Sequence, residues 1–177
     1  GRNVASEPLD ATAWFGRDAP LIVEIGCGTG NATAAMALAE PQHNLIAVEV
    51  YVPGLAQLLT SIERDSITNI RMLRGDAVDV LEHMIAPDSL TGVRVFFPDP
   101  WPKARHHKRR LLQPGTVALI ASRLRPGGVL HVATDHAGYA EHIAEVVAAE
   151  PELVALDRDS PITQERPVTK FEDKAHR

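Results

Sequence analysis

The chain has 177 residues, 45% hydrophobic and 23% charged, which suits one soluble globular domain, residues 1–177, with a sizeable core. No apolar run approaches the roughly 18 residues that span a bilayer, the N-terminus lacks the positive-then-apolar pattern of a secretory signal, and the single Cys27 cannot form an internal disulfide, so a cytoplasmic protein with no membrane partner is expected. A net charge of −5 excludes a generic polyanion binder, and any contact with nucleic acid must come from local clustering.

In chain order, Leu21 to Ile25 is an apolar run broken only by Glu24, and it reads as a buried parallel strand. A helix is expected over 32–39, a strand over 44–50, a helix over 54–64, a strand over 69–73 and a short helix over 78–85. A fourth strand, 93–97, leads into a polar loop at 98–108. A helix over 116–124 stops at Pro126-Gly127-Gly128, ahead of a strand at 129–133, a helix at 139–149 and a brief strand at 153–156. Residues 1–18 form an N-terminal lead-in. Strands alternating with helices of about ten residues predict an α/β fold, a mostly parallel twisted sheet with helices on both faces. Such sheets take ligands beyond the carboxyl ends of their strands, and Glu24, Glu49, Asp76, Asp99 and Asp135 lie at or near those ends.

Gly26, Gly28 and Gly30 permit a tight strand-to-helix turn with close backbone approach to a ligand. The G-x-G-x-G spacing departs from the dinucleotide fingerprint, whose third glycine comes three residues after its second. With Glu24 ahead of the turn, S-adenosylmethionine is favoured over a nicotinamide cofactor, because it lacks a pyrophosphate and carries ammonium and sulfonium charges that carboxylates attract. Glu49, at the next strand end, could accept both ribose hydroxyls, and Asp76 the adenine amino group; each acid could instead cap a helix.

The run Phe96 to Arg110 follows the fourth strand. Pro98, Pro100 and Pro102 stiffen it, and the Asp99 carboxylate could accept hydrogen bonds from guanine N1 and N2. Trp101 could stack on a base or anchor the loop. Five of the 18 Lys and Arg residues fall between Lys103 and Arg110, a solvated face on one reading and an RNA-phosphate contact on the other. His106 and His107 are adjacent and poor joint ligands; no Cys/His framework accompanies them, so no metal is expected. Asp135 could cap the helix that follows it. Cys27 reads as a small packing residue in the turn.

These motifs resemble the bacterial tRNA (guanine-N7-)-methyltransferase family, often called TrmB. The likeness is carried by Val23-Glu24-Ile25-Gly26 with Gly28 and Gly30, Ala47 to Val50, Gly75-Asp76-Ala77, the Phe97 to Lys103 block with Arg105 to Arg110, Ala133 to His136, and Thr169 to Glu172. The resemblance implies a Rossmann-like class I methyltransferase fold and methyl transfer from S-adenosyl-L-methionine to guanosine N7 in the variable loop of tRNA. It implies Glu24, Glu49, Asp76 and Asp99 as cofactor contacts, Asp99 as the catalytic residue, and Lys103, Asp135, Thr169, Lys170, Phe171 and Glu172 as substrate contacts within a C-terminal segment 159–177. Arg105, His106, His107, Lys108, Arg109 and Arg110 correspond to the RNA-interacting stretch. No protein partner is required; a monomer or homodimer is expected. Relatives carry a final strand beyond the position of Arg177, so the sheet edge is expected to lack that strand. A non-catalytic tRNA-binding module with the same fold is the alternative, and an exocyclic-amino methyltransferase, with its Asp/Asn-Pro-Pro-aromatic loop, is the nearest rival chemistry.

Overall fold

The computed structural model describes residues 2–3, 8–155 and 168–173. In order come β1 (Arg2–Asn3), α1 (Ala11–Phe15), β2 (Leu21–Ile25), α2 (Asn31–Ala39), β3 (Asn44–Glu49), α3 (Val52–Arg64), β4 (Ile70–Arg74), α4 (Ala77–His83) and β5 (Leu90–Phe96). A 3-10 helix (Ala104–Arg109), α5 (Pro114–Arg123), β6 (Leu124–Thr134), α6 (Ala137–Ala149), β7 (Val154–Ala155) and β8 (Val168–Asp173) follow. All eight strands join one parallel sheet in the order β1-β4-β3-β2-β5-β6-β8-β7. The chain winds outward from β2 through β3 and β4, then crosses back to β5 on the other side of β2. The β2/β5 junction is therefore the switch point, where the connecting loops diverge and leave a crevice at the carboxyl ends.

Side chains alternate across each strand, and this period sorts the core onto two faces. Val23, Ile25, Ile46, Val48, Val93 and Val95 pack with Val80 and Leu81 of α4, Ile120 of α5 and Ile143 of α6. Ile22, Leu45, Ala47 and Ile70 pack with Ala34 and Ala37 of α2 and Leu58 of α3. This second face is built from small side chains, and it leaves room for polar groups: Glu24 and Arg94 are register partners on β2 and β5, and both are buried.

Three expectations change. The Pro126-Gly127-Gly128 segment lies within the span of β6, which opens at Leu124 rather than 129. Between the pairs Leu90–Leu124 and Gly92–Val129, β6 advances five residues while β5 advances two, so the glycines loop out as a bulge, with Gly127 at φ +78°. A short helix, α1, sits in the lead-in; Asp10 caps it by accepting from the Ala13 N–H at 3.0 Å. On the far side, a strand, β8, falls within the segment 159–177 and pairs with β6 from Val129 to Thr134. Leu156, expected to end the brief strand, lies outside the described residues.

Candidate active site

The glycine turn leaves β2 and enters α2. Gly26, Gly28 and Gly30 all take left-handed φ angles, between 56° and 77°, and a Cβ on Gly26 or Gly28 would meet nothing within 4 Å. The turn thus presents bare backbone to an open space that a ligand can enter. Its three glycine amides are already engaged: Gly26 N–H with the Val48 carbonyl at 2.8 Å, Gly28 N–H with Glu49 Oε1 at 3.1 Å and Gly30 N–H with the Cys27 carbonyl at 2.9 Å. A loop built to cradle a pyrophosphate would keep such amides for the anion.

Two clefts flank this turn and share Ile25 and Gly26. One, about 150 Å³, lies toward β3 and β4 and is lined by Glu49, Val50, Gly75 and Asp76. The other, about 220 Å³, lies toward β5 and is lined by Pro98, Asp99, Trp101, Arg109 and Leu111. A larger cavity of about 440 Å³ opens where β2 and β5 begin, lined by Asp10, Leu21, Met84 and Ser89; it contains none of the acids at the strand ends, so size is no guide here.

The four expected cofactor carboxylates separate on inspection. Glu49 is half-buried and accepts from Gly28 N–H and, at 2.9 Å, from Val50 N–H, so it both braces the turn and borders the cleft. Asp76 is exposed and caps α4, its Oδ1 accepting from Val78 and Asp79 N–H at 2.9 and 3.2 Å. Asp99 is exposed at the other cleft. Glu24 is the most enclosed of the four: it is 3% exposed, its carboxylate accepts from the Thr33 hydroxyl of α2, and it is not among the residues lining either cleft. The strand period puts it beside Ile22 beneath the turn. Burial pushes its carboxyl above the usual range, against the opposing pull of the Thr33 hydroxyl and the Arg94 charge. The Cys27 thiol is likewise pushed up to about 12 by burial, with the Glu24 and Glu49 charges adding to it, so it remains a neutral packing group at pH 7.

Sequence reasoning missed the underpinning of this turn. Arg94 Nη2 donates to Glu40 Oε2 at 2.6 Å, and this contact, with His43 nearby, holds the Glu40 carboxyl below its ordinary value despite partial burial. Gly54 of α3 packs directly against the turn; a Cβ there would stand 2.1 Å from the Gly28 carbonyl oxygen. A glycine inside an otherwise amphipathic helix was the available signal. We expect Gly54→Ala to lower stability by about 2 kcal/mol and to weaken binding of a ligand in the clefts, measured by urea denaturation and calorimetric titration. Unchanged affinity would detach α3 from the site.

The loop after β5 is held in a costly shape. Phe97 and Trp101 take φ angles of +51° and +42°, where side chains rarely sit, and they bracket the rigid Pro98-Asp99-Pro100. Its supports are visible: Phe97 N–H donates to the Ala133 carbonyl at 2.7 Å, and Arg110 Nε donates to the Pro100 carbonyl at 2.6 Å. Trp101 is an anchor within the loop, edge-on to His106 at 5.8 Å and beneath the Arg109 guanidinium at 5.1 Å. Most of the cationic run forms the 3-10 helix; Lys103 at its N-cap and Arg105, Lys108 and Arg109 within it are exposed, and His106 and His107 are half-buried.

Arg110 is held differently. It is 5% exposed, its guanidinium lies 4.8 Å over the Tyr139 ring, and its Nε donates to the Pro100 carbonyl, so it braces the loop. Tyr139 in turn accepts from Leu112 N–H at 3.1 Å. We expect Arg110→Met to cost about 2 kcal/mol, or roughly 4–8 °C in Tm, while leaving the salt dependence of RNA binding unchanged. A flattened salt dependence at unchanged Tm would restore it to the RNA-facing set.

At the end of β6, Asp135 is exposed and is not the cap of α6: His136 fills that role, accepting from Tyr139 N–H at 3.0 Å. The Asp135 carboxylate has no hydrogen-bond or ionic partner among the described residues. Thr169, Lys170, Phe171 and Glu172 lie in β8 alongside Leu130 to Ala133. Among the described residues Asp79, Glu82 and His83 could together reach one metal ion, but none of them lines either cleft.

The family model described as "Putative methyltransferase" matches residues 18–177. The tRNA (guanine-N(7)-)-methyltransferase of Nocardia farcinica is 76% identical over all of this chain and 70% of its own length, and that of Rhodococcus jostii is 76% identical over 99% of this chain and 68% of its own. The chain belongs to the tRNA (guanine-N(7)-)-methyltransferase family. Among solved structures, a precorrin-6y C5,15-methyltransferase from Geobacter metallireducens matches with a TM-score of 0.60 at 14% identity, over 80% of this chain and 69% of that one. That likeness concerns the fold alone: the class I methyltransferase sheet with its crevice at the switch point. Within this methyltransferase family member the two clefts, the rigid Asp99 loop and the exposed cations of the 3-10 helix all gather at the carboxyl ends of β2, β3, β4 and β5.

Proposed function

We propose that the protein transfers a methyl group from S-adenosyl-L-methionine to N7 of a guanosine in the variable loop of tRNA, at position 46. The observation that carries this reading is the pair of clefts on either side of Ile25 and Gly26, with carboxylates at both and a cationic helix beside the second. The donor set fits the cofactor. Open glycine backbone with its amides already engaged suits a ligand without a pyrophosphate, and Glu49 and Asp76 are the acids positioned for ribose and adenine. When bound, the cofactor supplies a methyl group activated by a sulfonium centre.

The chain's own residues then have modest demands on them. Guanine N7 carries an in-plane lone pair and no proton, so no general base is needed and alignment does most of the work. Asp99, fixed by its flanking prolines, stabilises positive charge developing on the purine. Lys103, Arg105 and Lys108 position the RNA through phosphates, a salt-sensitive contribution. His106 and His107 border this face, and Asp135 with the strand segment Thr169 to Glu172 contributes to the acceptor side. The protein works in the cytoplasm, and neither a metal nor a second protein is required.

Incubating the protein with methyl-labelled S-adenosylmethionine and unmodified tRNA, then digesting the RNA, tests the reading. Labelled 7-methylguanosine is expected. Label on another nucleoside would overturn the acceptor assignment, and absence of label with intact tRNA binding would favour a binding module.

A further inference from the structure

We propose that Arg109 binds the α-carboxylate of the cofactor's amino-acid end rather than an RNA phosphate, an inference that rests on S-adenosylmethionine as cofactor. The cofactor is not uniformly cationic: beside its ammonium and sulfonium it carries one carboxylate, which needs a donor. The glycine amides cannot serve, since Val48, Glu49 and Cys27 already take them. Of the side chains lining the two clefts, Glu49, Asp76 and Asp99 are acidic and Arg109 is the one cation.

Arg109 also differs from its neighbours in how it is held. Its guanidinium lies 5.1 Å over the Trp101 ring, and both residues line the cleft that holds Asp99 and Gly26. Lys103, Arg105 and Lys108 are exposed but line neither cleft, and Arg110 is buried in the loop. The ring contact restricts the long side chain, so less freedom is lost when the guanidinium meets a carboxylate in its fork geometry. Asp99 and Arg109 thereby divide one cleft by charge, an acid toward the purine that becomes cationic as it reacts and a guanidinium toward the carboxylate.

Calorimetric titration with two ligands separates this role from the alternatives. S-adenosylhomocysteine retains the amino-acid end; 5′-methylthioadenosine has the same nucleoside and thioether without it. Arg109→Ala is expected to weaken S-adenosylhomocysteine by roughly 10- to 100-fold, the range for a lost charge-assisted hydrogen bond, and to leave 5′-methylthioadenosine unchanged. Arg109→Lys is expected to recover part of the loss. Equal weakening of both ligands would assign Arg109 to loop structure, and unchanged S-adenosylhomocysteine with weakened tRNA binding would return it to the RNA; either overturns the proposal. Failure of the unaltered protein to bind S-adenosylhomocysteine would instead overturn the cofactor reading and the proposal with it.

Discussion

Asp99→Asn is expected to lower kcat about 10²- to 10³-fold, the size of effect seen when one preorganised electrostatic group is removed from an active site, while changing cofactor affinity little. The substitution is nearly isosteric, so the bracket formed by Pro98, Pro100, Phe97 and Trp101 stays in place and only the charge is lost. What remains is a site that still aligns donor and acceptor but no longer stabilises a purine that becomes cationic as it reacts. Single-turnover methyl transfer, measured alongside S-adenosylhomocysteine binding, reads the two parts separately. Equal losses in rate and in binding would make Asp99 a ligand-holding group without a role in the chemistry; an undiminished rate would move the reaction elsewhere.

The second large effect lies beneath the turn. Arg94→Met removes the partner of Glu40 and the counter-charge of the buried Glu24, and should cost about 3 kcal/mol at neutral pH. Its pH dependence distinguishes lost charge from lost packing. The Glu24 carboxyl is raised in the folded protein, so its ionisation opposes folding as pH rises above the ordinary carboxylate range, and Arg94 moderates that penalty. The Glu40 carboxyl is lowered, so the stability it gains from Arg94 is present above the ordinary value and is lost as pH falls through the folded one. The deficit of Arg94→Met should therefore be largest near neutrality. On acidification it should shrink in two stages, the Glu24 part first and the Glu40 part at lower pH. Urea denaturation across this range measures it. A deficit independent of pH would mean that Arg94 contributes packing alone.

Most of the architecture could be read from apolar runs and punctuation, because buried parallel strands such as Asn44–Glu49 are continuous hydrophobic segments that few other structures produce. The glycine turn and the proline-bracketed Asp99 were legible for the same reason: their residue types constrain backbone geometry locally. What escaped was tertiary. An acid within a strand carries no mark of which face it occupies, and the alternation that buries Glu24 becomes decisive only when α2 covers that face. A run of five cations looks uniform, whereas the fold turns Arg110 inward onto Tyr139 and sets Arg109 over Trp101. The contact between Gly54 and the Gly28 carbonyl joins residues on different elements, and β8 inserts beside β6 ahead of β7 in space although it follows β7 in the chain. Local pattern cannot encode either pairing.

Methylation at guanine N7 is tested by replacing that atom. A tRNA carrying 7-deazaguanosine at the variable-loop position keeps the hydrogen-bonding edge and the charge of the substrate but puts a C–H where the nucleophilic nitrogen was. The unmodified transcript should accept labelled methyl groups, and the 7-deaza transcript should bind with similar affinity and accept none. Undiminished transfer to the 7-deaza transcript would rule out N7 as the acceptor, since the methyl group would then be reaching a different atom.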